Sequence, residues 1–120
     1  MTREAKEILL KDLCARLPYG VKVQSTFYNC DGTIWKYENE ILTAGLLGYP
    51  ITRYKPYLFP LLSMTEEQSK VYHELINGMF GTSALINFEV LTDFFNSNHL
   101  DYRGLIKMGL AVDATGLNIY

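Results

Sequence analysis

The chain of 120 residues is 48% hydrophobic, 13% aromatic and 20% charged, which predicts one domain with a single core and excludes an intrinsically disordered chain. Its formal net charge of −2 argues against a dedicated duplex-DNA binder, which needs a strongly basic surface. No apolar run is long enough to cross a bilayer and the charged N-terminus does not resemble a secretory signal, so we expect a cytoplasmic protein that does not contact a membrane.

The first part of the chain has the pattern of one helix followed by a small sheet. Residues 2–16 are predicted to be helical, because Thr2 can cap the N-terminus and apolar side chains recur at intervals of four. Alternating apolar and polar residues over 21–27 predict a strand, and the Asp-Gly pair at 31–32 predicts a hairpin turn. The next predicted elements are a strand at 33–37, a turn at 38–40 and a third strand at 41–45.

Residues 46–62 differ in composition from the rest of the chain. They contain three of the four prolines and no acidic residue, so a regular helix cannot run through them. Their many Leu, Tyr and Phe side chains would leave a large apolar surface in water if the segment were a flexible linker. We therefore predict a rigid, extended crossover inside one domain that spans residues 1–120.

The C-terminal half is predicted to be mainly helical. Thr65 and Gln68 have the spacing of a capping box, which predicts a helix that begins there and ends at Asn77-Gly78. Asn87 is predicted to cap a second helix. The remaining predicted elements are a short helix from Asp101 to Met108 and a short strand at 110–112. The predicted fold class is α+β, with an N-terminal helix, a small antiparallel three-stranded sheet, a Pro-rich crossover and two or three C-terminal helices packed against the sheet.

Residues with catalytic or metal-binding chemistry are few and scattered. Cys14 is predicted to be a small core residue of the first helix, and Cys30 to occupy an exposed turn, both of them reduced. His73 and His99 lie on separate segments, and His73 is interpreted as a partly exposed helix residue. Since no phosphate-binding loop or metal-ligand spacing is present either, we expect no metal, no cofactor and no catalytic residue.

The strongest functional pattern is the segment 49–57, which interleaves tyrosines with cations and contains no acid. This combination can stack bases and contact phosphates of single-stranded nucleic acid, and the same residue types dominate protein–protein hot spots. A third interpretation is that the tyrosines pack against the core and only stiffen the crossover. The candidate binding residues are Trp35, Arg53, Tyr54, Lys55 and Tyr57, and Tyr37 could extend their surface.

Three phrases, at residues 10–21 (LKDLCARLPYGV), 55–67 (KPYLFPLLSMTEE) and 98–106 (NHLDYRGLI), resemble a family of small uncharacterised proteins of gut Bacteroidetes and of their phages or mobile elements. The resemblance implies an intracellular setting and assigns no activity. We therefore expect a non-enzymatic accessory protein of a phage or mobile element that binds a protein partner. Single-stranded nucleic-acid binding is the alternative, an enzyme ranks third, and a homodimer stays open.

Overall fold

The computed structural model describes residues 1–78 and 84–120 and has three helices and four strands in those ranges. In chain order they are α1 (Arg3–Arg16), β1 (Lys22–Tyr28), β2 (Ile34–Ile41), β3 (Tyr54–Leu58), α2 (Glu66–Gly78), α3 (Ala84–Ser97) and β4 (Val112–Asp113). The strands form one sheet in the order β2-β1-β3-β4. β1 pairs antiparallel with β2 and β3, and β3 pairs parallel with β4. The predicted α+β class is confirmed, although the sheet is mixed and has four strands.

Helix α1 begins and packs as its sequence predicts. The hydroxyl of Thr2 accepts a hydrogen bond from the backbone N–H of Ala5 at 3.1 Å, which satisfies one of the free donors of the first turn. Leu9 and Leu13, four residues apart, are fully buried in the main core with Val21 and Val23 of the first strand region. The helix therefore covers the sheet from one side.

The hairpin of β1 and β2 forms around the predicted Asp-Gly turn, where Gly32 has a φ of 87°. The predicted turn at 38–40 and the predicted third strand at 41–45 are wrong. β2 continues to Ile41, and its register against β1 shifts between Val23 and Ser25. Asn39, with a φ of 60°, lies at this β-bulge; Asn tolerates left-handed backbone both in bulges and in turns, so its presence cannot distinguish them.

The Pro-rich crossover contains the strand that the prediction placed at 41–45. After short 3₁₀ turns at Ala44–Gly48 and Ile51–Arg53, β3 pairs with β1 in the middle of the sheet. Pro56 is tolerated there because β4 pairs only with Tyr57 and Leu58, beyond the proline. Part of the predicted crossover therefore belongs to the sheet.

The predicted capping box is confirmed: Gln68 N–H donates to the Thr65 hydroxyl, and Thr65 N–H donates to the Gln68 side chain. Helix α3 begins at Ala84, so Asn87 is not its cap. The prediction that α2 and α3 cover the sheet is also wrong. Their apolar faces pack on each other and around Phe59, just after β3. Buried members of this cluster are Leu91, Phe95 and Leu100.

The predicted third helix at 101–108 is wrong, because this stretch forms consecutive turns. The carboxylate of Asp101 nevertheless caps them, as it accepts hydrogen bonds from the N–H groups of Leu105 and Ile106 at 2.8 and 2.9 Å. The chain then enters β4, two residues later than the predicted short strand begins.

A buried ionic cluster joins α1 to the turns after α3. Asp12 and Arg16 are both fully buried and form an ion pair at 2.9 Å, while Arg103 approaches the other oxygen of Asp12 at 3.3 Å. Arg16 also donates to the backbone carbonyl of Leu100. Burial raises the pKa of Asp12 and the Arg16 guanidinium opposes that shift. The cluster ties two distant parts of the chain together through charged hydrogen bonds.

A second polar contact ties the C-terminus to the sheet. The ring of Tyr120 stacks on His99 with a centroid distance of 3.7 Å, and its hydroxyl accepts from Lys22 N–H and donates to the carbonyl of Tyr57. Burial, with the nearby charges of Arg16 and Lys22, lowers the pKa of His99 to about 4. The imidazole is therefore neutral in the folded protein at neutral pH.

This stacked histidine should make stability fall as the pH falls. Because the folded pKa is below that of an unfolded histidine, the stabilising contribution is complete above about pH 6.5 and decreases toward pH 4. We expect the free energy of unfolding to decrease by about 1–2 kcal/mol more in the wild type than in His99→Asn between about pH 7.5 and pH 5. Asparagine suits the φ of 57° at this position. Equal pH slopes in urea titrations of the two proteins would contradict the assignment.

Candidate functional site

The main candidate site is a cleft on one face of the β1–β2 hairpin, of about 440 Å³. We call it the hairpin cleft. The antiparallel register places Phe27 opposite Trp35 and Ser25 opposite Tyr37, so these side chains share one face of the sheet. The segment after β2 closes the cleft from the side. Its lining residues are Phe27, Asn29, Trp35, Tyr37, Glu40, Leu46 and Tyr49.

The aromatic rings of the cleft hold one another in place. Phe27 meets Tyr37 and Tyr49 edge-to-face, each with a centroid distance of 5.8 Å, which is a favoured geometry for aromatic pairs. The ring centroid of Trp35 lies 6.5 Å from that of Tyr37. Trp35, Tyr37 and Tyr49 remain 54%, 45% and 51% exposed. The cleft thus offers three half-exposed rings supported by a fourth ring beneath them.

Polar groups of both signs lie at the cleft. The Glu40 carboxylate accepts a hydrogen bond from the buried Ser25 hydroxyl at 2.9 Å, which fixes its position. The Arg53 guanidinium lies 5.2 Å from the ring centre of Phe27 and 5.8 Å from that of Tyr49, within the range of a cation–π contact. A ligand in the cleft would therefore meet aromatic surface and one acceptor, with a cation packed against two of the rings.

The structure divides the candidate binding residues predicted from the sequence. Trp35 lines the cleft and Arg53 packs on its aromatic rings. Tyr54 and Tyr57 are 0% and 3% exposed, so they belong to the core and cannot form a stacking surface. Lys55 is exposed but opposes Gln24 on β1, on the face of the sheet opposite to Tyr54. The segment 49–57 therefore does not form one basic-aromatic surface.

Several cleft residues were missing from the predicted set. Phe27 was missed because a two-residue Asp-Gly loop would pair it with Lys36, whereas the hairpin has a three-residue loop at 30–32 that pairs it with Trp35. Glu40 was missed because residues 38–40 were interpreted as a turn. The contact of Tyr49 with the hairpin is a long-range contact with no local signal.

The other candidate residues form no site among the described ranges. No group of three or more His, Cys, Asp or Glu side chains that could hold a metal ion occurs there. Cys30 is exposed as predicted, but Cys14 is exposed as well, so its prediction as a core residue is wrong. α1 turns Leu13 inward and Cys14 outward. His73 is exposed on α2, in line with its interpretation as a helix surface residue.

Comparison with known proteins gives no matching family model, no matching curated protein and no matching solved structure. Among the described residues, no helix combines the length and apolar character that crossing a membrane requires.

Proposed function

We propose that this chain is a non-enzymatic accessory protein that binds another protein through the hairpin cleft. The observation that carries the proposal is the group of half-exposed rings of Trp35, Tyr37 and Tyr49 around the cleft, with the Arg53 guanidinium packed against the ring of Tyr49. Trp, Tyr and Arg are the residues most enriched at the centres of protein–protein interfaces. Apolar side chains of a partner would lose water on entering between the rings.

The preorganisation of the cleft supports this proposal. The edge-to-face contacts of Phe27 and the cation–π contacts of Arg53 restrict the rings before a partner arrives. Binding then costs less side-chain entropy than it would with freely rotating rings. Glu40, held by Ser25, can accept a hydrogen bond from a backbone or side-chain donor of the partner, which would orient the bound segment.

Single-stranded nucleic-acid binding is the weaker alternative. It needs exposed rings for the bases and several cations for the phosphates. Two of the predicted tyrosines are buried, Lys55 lies on the other face of the sheet, and the carboxylate of Glu40 lines the cleft. A carboxylate beside the rings repels phosphate, whereas a mixed-charge cleft suits a polypeptide.

The proposed biological setting follows from the resemblance noted in the sequence. Residues 10–21, 55–67 and 98–106 resemble proteins carried by gut Bacteroidetes, their phages or mobile elements. We propose a cytoplasmic protein in such an element, whose partner is another protein of the element or of its host.

Selection of peptides from a displayed random library tests the cleft, with Trp35 fluorescence as the readout for peptides that lack tryptophan. We expect Tyr49→Ala to lower the affinity for the selected peptides roughly tenfold or more, since it removes one wall of the cleft. Leu62→Ala is the matched control, because Leu62 is 100% exposed and lies outside the cleft lining. The affinity of the Leu62→Ala variant for the selected peptides should stay within about twofold of that of the wild type.

The salt dependence of binding separates the two functions. Peptide affinity should change by less than about threefold between about 50 mM and 200 mM salt, whereas oligonucleotide affinity falls steeply over that range. Saturable, salt-sensitive binding of a single-stranded oligonucleotide would favour the alternative. Selected peptides that bind Tyr49→Ala as tightly as the wild type would exclude the cleft as the contact surface.

A further inference from the structure

Strand β2 is an open edge of the sheet. Its one neighbour among the described strands is β1, so its other side presents free backbone N–H and C=O groups. Seven of its eight residues are exposed, and several are large and apolar: Ile34, Trp35, Tyr37 and Ile41. A long exposed strand of this kind is a template for pairing with another strand.

The hairpin register identifies which residues face the open side. The N–H of Asn29 donates to the carbonyl of Thr33, so these two residues form a hydrogen-bonded pair. Hydrogen-bonded and non-hydrogen-bonded pairs alternate along an antiparallel ladder. The backbone groups of Trp35 and Tyr37 therefore point toward β1, and those of Ile34 and Lys36 point outward. The N–H of Glu38 belongs to the same peptide unit as the Tyr37 carbonyl and so also points outward, just before the β-bulge.

We propose that β2 pairs antiparallel with β2 of a second copy of this chain, with the two-fold axis at Tyr37. In this register Lys36 of each copy lies directly opposite Glu38 of the other, and both residues use their outward backbone groups. The two exposed side chains have opposite charges, and neither forms an ion pair with another described residue. Opposite charges across a strand pair are favourable.

The neighbouring registers lack this match. Centring the axis on Lys36 would place two lysines face to face, and centring it on Glu38 would do the same with two glutamates. Like charges directly opposite each other are destabilising. A register centred on Trp35 pairs Ile34 with Lys36 and leaves Glu38 without a partner. The charge order along β2 thus selects its own antiparallel copy in one register.

The proposed pairing also joins the two hairpin clefts. A two-fold axis perpendicular to the sheet keeps both clefts on the same side, with Tyr37 of one copy opposite Tyr37 of the other. Because Tyr37 and Trp35 both line the cleft, the two sites become one continuous aromatic surface. The proposed dimer does not depend on which partner the cleft binds. The experiments below therefore measure only the association of two copies of this chain.

Charge exchange tests the register. Sedimentation equilibrium should give a concentration-dependent mass that approaches twice the 13.7 kDa of the chain. Lys36→Glu and Glu38→Lys should each raise the dimer dissociation constant about tenfold or more, and the double variant Lys36→Glu/Glu38→Lys should restore it to within about threefold. A protein that stays monomeric up to millimolar concentration, or a double variant no better than the single ones, would overturn the proposal.

Disulfide trapping tests the axis. In a Cys14→Ser/Cys30→Ser background that dimerises like the wild type, Tyr37→Cys should crosslink on oxidation, because directly opposite residues in a non-hydrogen-bonded pair have Cα atoms about 4.5 Å apart. Trp35→Cys is the matched control: its two copies would lie roughly 13 Å apart, too far for a disulfide. Crosslinking of Trp35→Cys without crosslinking of Tyr37→Cys would contradict the proposed register.

Discussion

Arg16→Ala should lower the free energy of unfolding by about 3–5 kcal/mol, because it leaves Asp12 buried with only one of its two cationic partners. Both side chains of the Asp12–Arg16 pair are 0% exposed. The substitution also removes the hydrogen bond to Leu100 and opens a cavity between α1 and the turn that contains Tyr102, over whose ring the guanidinium lies. In a thermal melt the expected loss corresponds to roughly 10–20 °C.

The same helix provides the control for this measurement. Arg3 and Glu7 form an ion pair with the same spacing of four residues, but their side chains are 90% and 61% exposed. Arg3→Ala should therefore change the free energy of unfolding by less than about 0.5 kcal/mol. If urea titrations show similar losses for Arg3→Ala and Arg16→Ala, the buried cluster does not contribute as its geometry indicates.

Local signals in the sequence located the ends of α1 and α2 and the turn of the β1–β2 hairpin correctly. Thr2, the Asp-Gly pair at 31–32 and the capping box of Thr65 and Gln68 each act through contacts within four residues. Such interactions are fully specified by short stretches of sequence, so they can be predicted without knowledge of the fold. The predicted start of α3 was wrong, because Asn87 has capping chemistry but lies inside the helix, which begins at Ala84.

Features that depend on distant contacts were not predictable in the same way. Asn39 is a turn residue by type, and only the pairing of β2 with β1 shows that it lies at a bulge. The central strand β3 was hidden because Pro56 makes a segment resemble an edge or a connector. Its place in the sheet follows from pairing with β1, about thirty residues earlier in the chain.

The candidate site was predicted only in part for the same reason. Trp35 and Arg53 were identified by residue type, and the structure brings both to the hairpin cleft. Tyr54 and Tyr57 have the same composition signal as Tyr49, but β3 buries the first two and leaves Tyr49 half exposed. Residue type predicts what a surface could bind; only the strand pairing determines which tyrosines reach that surface. The same distinction leads to a measurable difference in stability.

Tyr54→Ala should lower the free energy of unfolding by about 3–5 kcal/mol, the usual cost of deleting a fully buried aromatic ring. Tyr54 is 0% exposed and its ring lies 6.5 Å from that of Phe27, so its loss removes part of the main core and a support of the hairpin cleft. The matched control is Tyr28→Ala on β1. Tyr28 is 68% exposed, and its truncation should cost less than about 1 kcal/mol.

A second substitution at the same position separates the ring from its hydroxyl. The Tyr54 hydroxyl oxygen is buried without a hydrogen-bond partner among the described residues, and burial raises the pKa of this hydroxyl. An unpaired buried polar group costs free energy, so Tyr54→Phe should leave stability unchanged or increase it by up to about 1 kcal/mol. A loss of more than about 1 kcal/mol in Tyr54→Phe would show that the hydroxyl is hydrogen-bonded after all. A loss for Tyr54→Ala no larger than that for Tyr28→Ala would instead place Tyr54 on the surface and return it to the set of candidate binding residues.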